Sequence, residues 1–250
     1  GKRASIGQGL GDVDVACSVF QDLVGADADA RHLAQLASCR GAQGSYEEAD
    51  ALFAQAELAH RDVSRGVLAS LWFERGAMWE RAGQPTRARH YYRLTVDRVP
   101  APAHAAAHLA SFLLPEQARA VLSQALVTSD DPDLYAELAE LEEEGSPERA
   151  ELEAKAHAGY AERLARHPEA YADHAGWYLL SRGHTELALG WARFDASVRT
   201  TPEGLELWLV ASTRLGAPAC EALERARLLS AEPPALAAAA LAVQPSCASR

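Results

Sequence analysis

The side chains in this 250-residue chain best suited to chemistry are its nine histidines and four cysteines. His104 and His108 stand four apart in the run H-A-A-A-H. On a helix that spacing puts both imidazoles on one face, where they suit a transition metal such as Zn²⁺ or Cu²⁺. The residues between them are all alanine, so the glutamate that acts as general base in a helical HExxH protease is absent. A metal site also needs further ligands and partners that orient them. Two surface histidines in an alanine-rich helix are the simpler reading. His157, His167, His174 and His184 are candidates to converge across helices, with capping and packing roles as the alternative.

The cysteines fall into two local pairs, Cys17 with Cys39 and Cys220 with Cys247, one near each end of the chain. No CxxC occurs, which speaks against a zinc ribbon or a thioredoxin-type site. Buried free thiols in a helical core account for these residues. Helix packing that sets Cys17 beside Cys39 and Cys220 beside Cys247 would instead make two disulfides and imply an oxidising compartment. There is no GxxxxGK[ST] loop, no strand-backed GxGxxG and no GxSxG elbow. Gly7 to Gly11 (G-Q-G-L-G) has neither strand nor lysine and reads as a flexible arm. Carboxylates are too abundant to single out a catalytic pair, and the run from Glu140 to Glu144 reads as a solvated helix end. No enzymatic activity and no cofactor are expected.

Composition limits the partners. The formal net charge is −11, and only two of the 24 basic residues are lysines, Lys2 and Lys155. An acidic chain cannot displace counterions from phosphate over a broad surface, which excludes a general nucleic-acid binder. It is equally unsuited to anionic membranes, and no apolar run approaches the length that spans a bilayer. The arginine bias and the lack of asparagine suggest a GC-rich bacterial genome. Charge is uneven along the chain. Eight arginines face four acids between positions 61 and 98, and eleven acids face one arginine between 130 and 153. In a helical array that pattern predicts a basic middle and an acidic flank able to steer a partner; local ion pairs are the alternative.

The elements that must carry these side chains are helices, since Ala, Leu, Glu and Arg lose little side-chain freedom there. The most informative window runs from Ala69 to Pro100. Trp72, Gly76 and Trp79 share a helix face, Gly83-Gln84-Pro85 forms a turn, and Ala88, Tyr92 and Thr95 mark the inner face of a second helix. Pro at the start and Gly before it suit a helix boundary. The same grammar recurs. Small second-helix residues fall at Ala49, Ala88, Ala118, Ala150, Gly190 and Ala222, about 35 residues apart on average. They matter because helix axes approach closely only where side chains are short.

This pattern resembles the tetratricopeptide repeat, two antiparallel helices in about 34 residues. The match covers Trp72, Gly76, Trp79, Ala88, Tyr92 and Pro100, with Arg75 standing where the pattern prefers Leu and Thr95 where it prefers Ala. The resemblance implies an all-α, right-handed superhelical solenoid of about six antiparallel helix pairs. A flexible arm occupies residues 1–11 and a capping helix residues 12–28. Repeats fill 29–202, a degenerate repeat 203–232, and a short helix and tail 233–250. The helix after Pro147 runs on to Arg166, longer than a standard second helix. That long helix, the A-D-H at Ala172 to His174 and the Thr-Pro break also resemble a group of exported bacterial tetratricopeptide proteins over roughly residues 30–230. That likeness favours a periplasmic or extracellular location over the cytoplasm.

In this family the first helix of each pair lines the concave face. The resemblance therefore implies a groove built from Ser70, Phe73, Ala77, Glu80 and Arg81, with His104, Tyr135, Glu142 and Arg182 from other pairs. Phe73 and Tyr135 would anchor a protein or peptide partner, or else pack against a neighbouring repeat. Arg81 and Arg182 would align it. Two other functions fit the chain: an exported metal-binding or metal-delivery protein using His104, His108 and the 157–184 histidines, and an accessory interaction domain of a larger protein.

Overall fold

The computed structural model describes residues 13–61, 65–99, 103–229 and 231–247. The arm expected over residues 1–11, Pro100 and the last three residues lie outside that set. The described residues hold fourteen α-helices and no strand. In chain order they are α1 (Val13–Ala26), α2 (Ala30–Ala42), α3 (Tyr46–Ala59), α4 (Arg65–Arg81) and α5 (Pro85–Arg98). Then come α6 (Ala103–Ala110), α7 (Pro115–Leu126), α8 (Pro132–Glu140), α9 (Pro147–Arg166) and α10 (Pro168–Ser181). The last four are α11 (Thr185–Val198), α12 (Pro202–Leu215), α13 (Cys220–Arg227) and α14 (Pro234–Cys247). Helices α2 to α13 form six consecutive antiparallel pairs, with α1 before them and α14 after. They sort into two compact units. One contains α1–α3, Arg81–Gly83 and α10–α14; the other contains the rest of α4 together with α5–α9.

The turn within a pair is set by one backbone device used repeatedly. Gly44, Gly83 and Gly183 take φ of 80°, 67° and 80°, in the left-handed region that costs glycine nothing. The next residue's N–H then donates back across the helix end: Ser45 to Arg40 O, Gln84 to Trp79 O and His184 to Leu179 O, each at 2.9 Å. That hydrogen bond satisfies an orphan carbonyl and stops the first helix. Five residues past each glycine lies a fully buried alanine: Ala49, Ala88 and Ala188. This corrects the expected register of the fifth pair. Gly190 is exposed, and Ala188 is the small residue at the helix crossing. Ala150 is exposed as well. Helix α8 is only nine residues long, and α9 meets it through Ala156, Tyr160 and Gly159, the last lying against Pro132.

In the second unit, α4 carries buried residues on several faces, among them Ala69, Leu71, Met78 and Trp79. Such a helix is enclosed by neighbours rather than half-solvated. Gly76 is where α5 comes closest: a Cβ there would sit 2.9 Å from two ring carbons of the fully buried Tyr92. The two departures from the repeat pattern have physical reasons. Arg75 is buried and lays its guanidinium 4.3 Å from the Tyr91 ring centroid, so it covers an aromatic face where Leu would pack. Buried Thr95 donates its hydroxyl to backbone oxygens of Tyr91 (3.0 Å) and Ala69 (3.3 Å), which ties α5 to α4. Further along, Ala106, Ala110, Ala118, Leu122, Ala125, Leu134 and Leu138 form one core shared by α6, α7 and α8.

In the first unit, Ala16, Cys17 and Phe20 of α1 pack on Leu36 and Cys39 of α2. Disulfides join Cys17 to Cys39 and Cys220 to Cys247, with no free cysteine. They tie α1 to α2 and α13 to α14. A charged bridge lies where α10, α11 and α12 meet. Arg199 contacts Asp195 at 2.7 Å and Asp173 at 2.9 Å, and Asp195 is fully buried. Burial pushes the Asp195 carboxyl above its ordinary value, against the Arg199 guanidinium that lowers it. Gly204 at the start of α12 has no side chain because any Cβ there would collide with the Asp195 carboxylate.

Two outcomes follow from this packing. Gly76→Ala gains about 1 kcal/mol of intrinsic helix preference, but it forces a methyl onto a ring that cannot retreat, at a typical cost of about 1–3 kcal/mol. Urea unfolding is therefore expected to show a less stable protein, and a more stable one would show that the ring yields. Native protein treated with an alkylating agent without reductant should take up no label. Reduction should lower the melting temperature, since loop closure by each bridge contributes about 3 kcal/mol.

Candidate functional site

The side chains expected in the groove can now be placed. Phe73 and Glu80 stand seven apart on α4, two turns along one face. Beneath them is Tyr92 of α5, fully buried. Its hydroxyl donates to Glu80 Oε2 at 2.5 Å, and His108 Nδ1 of α6 meets the same oxygen at 2.8 Å. A carboxylate accepts only, so both partners donate, His108 through Nδ1. The rings pack as a group. His108 stacks on Tyr92 with centroids 5.1 Å apart, Phe112 stacks on its ring at 6.2 Å, and Phe73 lies 5.8 Å from both Tyr92 and His108. Phe73 is half-buried, and the side chains of His108 and Glu80 are 36% and 35% exposed. Three helices thus hold a partly open aromatic surface with a carboxylate and an imidazole at its edge. Ser70, exposed, donates to Gly66 O at 3.0 Å, and Ala77 is half-buried.

The surface continues onto α8. His104, one turn before His108, reaches Asp133 at 3.4 Å. The Tyr160 hydroxyl of α9 also donates to Asp133. Burial, and then the Asp133 carboxylate, push that hydroxyl far above the usual phenol range, so it stays a donor at any working pH. Asp131 caps α8 by accepting from Asp133 N at 3.0 Å, and Arg163 pairs with it at 3.3 Å. Tyr135 is half-buried, with Lys155 Nζ 5.8 Å from its ring centroid. Glu142 is engaged by Arg119, whose other nitrogen donates to Leu141 O at 2.9 Å.

Other expected members are occupied elsewhere. Arg81 pairs with Glu203 at 3.7 Å, and the Arg182 guanidinium lies 5.6 Å from the Tyr178 ring centroid, both within the first unit. His104 and His108 share a helix face as their spacing predicts, but each is taken by a different carboxylate, Asp133 and Glu80. His157, His167 and His184 are exposed. In the first unit, Asp27, Asp29 and His32 stand close enough for a metal ion. Asp29 is the N-cap of α2, accepting from His32 N at 2.7 Å, which accounts for the grouping. Tyr92, His108 and Phe112 join this aromatic surface beyond the residues that the sequence points to; the one sequence signal is weak, an aromatic four residues past His108, in the turn that follows α6.

No protein-family model matches the sequence, and no curated protein does. Among solved structures, the chain is similar to the C-terminal part of a TPR repeat-containing protein from Cytophaga hutchinsonii. The TM-score is 0.44 at 14% identity, covering 98% of this chain and 95% of that one. It is also similar to the TPR2AB domain of yeast Sti1 in its complex with pHSP90, with TM-score 0.35, 18% identity, and 95% and 88% covered. A third likeness is to Naa15/Naa10 bound to HypK-THB, with TM-score 0.39, 16% identity, 85% of this chain and 33% of that one. The described residues of this chain likewise form a series of helix pairs without a strand.

The carboxylate at the centre of the ring cluster can be tested directly. Tyr92→Phe removes one hydrogen bond to Glu80 and keeps the ring. It is expected to lower stability by about 1 kcal/mol with helix content unchanged. Thermal unfolding followed by circular dichroism measures both.

Proposed function

We propose that the chain is a protein- or peptide-binding scaffold without catalytic activity, and that its ligand lies across α4, α6 and α8 in the second unit. The observation that carries this reading is the partly open ring cluster of Phe73 and His108 over buried Tyr92, fixed by Glu80. A face turned only to water has little use for such aromatics. Rings held in place by neighbours lose little entropy on binding and serve as anchors for an apolar side chain. Ser70 and Ala77 are small and leave room beside them. Glu80, with His104 one pair on and Asp133 two pairs on, offers carboxylates and imidazoles along the same set of helices, and Tyr135 gives a second ring. This suits an extended segment or a helix that carries an apolar residue next to a basic one. The net charge of −11 favours the same kind of partner. Arg81 and Arg182 have no part in this site. The two disulfides suit an oxidising compartment as the place of action.

A library of displayed peptides selected on the immobilised protein supplies ligands for the test. Phe73→Ala and His108→Ala should each weaken the selected peptides by about 1–3 kcal/mol, with the circular dichroism spectrum unchanged. Peptides that bind both variants as well as the parent would place the site elsewhere. If Phe73→Ala instead lowers the melting temperature sharply and leaves affinity intact, Phe73 is a packing residue only.

A further inference from the structure

The first unit has a cavity of about 450 Å³ that none of the preceding argument uses. Its walls come from three consecutive helices: Arg193 of α11, Trp208 of α12, and Glu221 and Arg225 of α13, with Pro218 and Ala219 from the turn between the last two. Cavities of this size hold small organic molecules.

The charges in the cavity do not cancel. Arg225 is committed: one nitrogen donates to Ala196 O at 2.6 Å and the other pairs with Glu221 at 2.7 Å. Arg193 has no carboxylate partner among the described residues. Its guanidinium carbon lies 5.8 Å from the Trp208 ring centroid, held over an aromatic face rather than by an acid. One positive charge is therefore left over at this cavity in a protein of net charge −11. Trp208 is 6% exposed, and its indole nitrogen is fully buried with no acceptor among the described residues, so the cavity meets the ring rather than a donor. At the start of α13, Ala219 supplies no side-chain cap. Pro218, Ala219 and the Trp208 ring give the cavity an apolar side; Ser197, whose hydroxyl donates to Phe194 O at 2.6 Å, and Cys220 complete the lining.

We infer that this cavity binds a small organic acid, its carboxylate on Arg193 and its apolar body against Trp208 and Pro218. The planar guanidinium matches a carboxylate in a two-pronged contact, and one uncompensated charge matches a monoanion better than a dianion. The ligand is a free small molecule, because the apolar wall and volume accommodate a compact body beside the charge. This site is distinct from the ring cluster of the second unit and does not depend on it.

Benzoate is the probe, with benzamide as the same shape without charge and inorganic phosphate as charge without the apolar body. The readout is the Trp208 indole N–H resonance in a ¹H–¹⁵N spectrum of the full chain, assigned by its loss in Trp208→Phe. Benzoate should shift it in a saturable way and benzamide should not. Arg193→Gln, a change at an exposed residue, should weaken the effect about tenfold or more, while Phe73→Ala should leave it unchanged. An unshifted resonance, or an equal response to benzoate in Arg193→Gln, overturns the proposal. Phosphate acting as strongly as benzoate would mean a general anion site and overturn it too. Tighter binding by the free-acid peptide Ala-Ala-Ala-Phe than by benzoate would overturn the small-molecule source.

Discussion

Everything in this fold depends on how closely two helices of a pair can approach, and short side chains decide it. Ala49, Ala88, Ala118, Ala188 and Ala222 are each at most 2% exposed, one on the second helix of five different pairs. Helix axes reach contact distance only over such residues. Alanine itself contributes little burial energy; what its size permits is the enclosure of larger neighbours. Phe53, Trp79, Tyr92 and Leu122 are buried because the backbones around them are close, and full burial of such side chains stabilises by about 1.5–3 kcal/mol each. The disulfides join α1 to α2 and α13 to α14.

The repeat was legible because this constraint leaves marks at regular intervals: glycine at the turn, alanine five residues on, a large residue between. Gly76 and Tyr92 were both readable, and the structure sets one against the other. Other positions depart from the pattern. Glycine at 190 is small yet exposed, because distance from the turn glycine decides the helix crossing and selects Ala188. Ala150 satisfies the turn spacing yet is exposed, because the short α8 ends before it can cover that position. Spacing records the turn; it does not record the length of the facing helix.

The candidate site was legible by half. Phe73 and Glu80 fall on one helix face by arithmetic alone, and so do His104 and His108. What occupies them is not local. Glu80 meets His108 across 28 residues of sequence, and Tyr92 reaches it from a third helix. The spacing of the histidine pair is visible in sequence, while the carboxylates that the two rings meet, Asp133 and Glu80, come from other helices. The cavity beside Trp208 was invisible for the same reason: its walls come from three helices, and no spacing within one helix marks them.

Charge shows the same limit from another side. The blocks at 61–98 and 130–153 look like opposed patches in sequence. In the folded chain much of each is consumed locally. Arg75 and Arg87 lie over Tyr91 and Trp79, at 4.3 and 4.0 Å from the ring centroids. Arg119, Arg149, Lys155 and Arg163 engage Glu142, Glu153, Glu151 and Asp131. Exposed pairs of this kind add little stability, but each removes a charge from the field a partner meets. The charges that can act on a ligand are those remaining after such pairing, and they need not lie in the blocks at all. Arg193 belongs to neither, and its guanidinium carbon lies 5.8 Å from the Trp208 ring centroid with no carboxylate partner among the described residues.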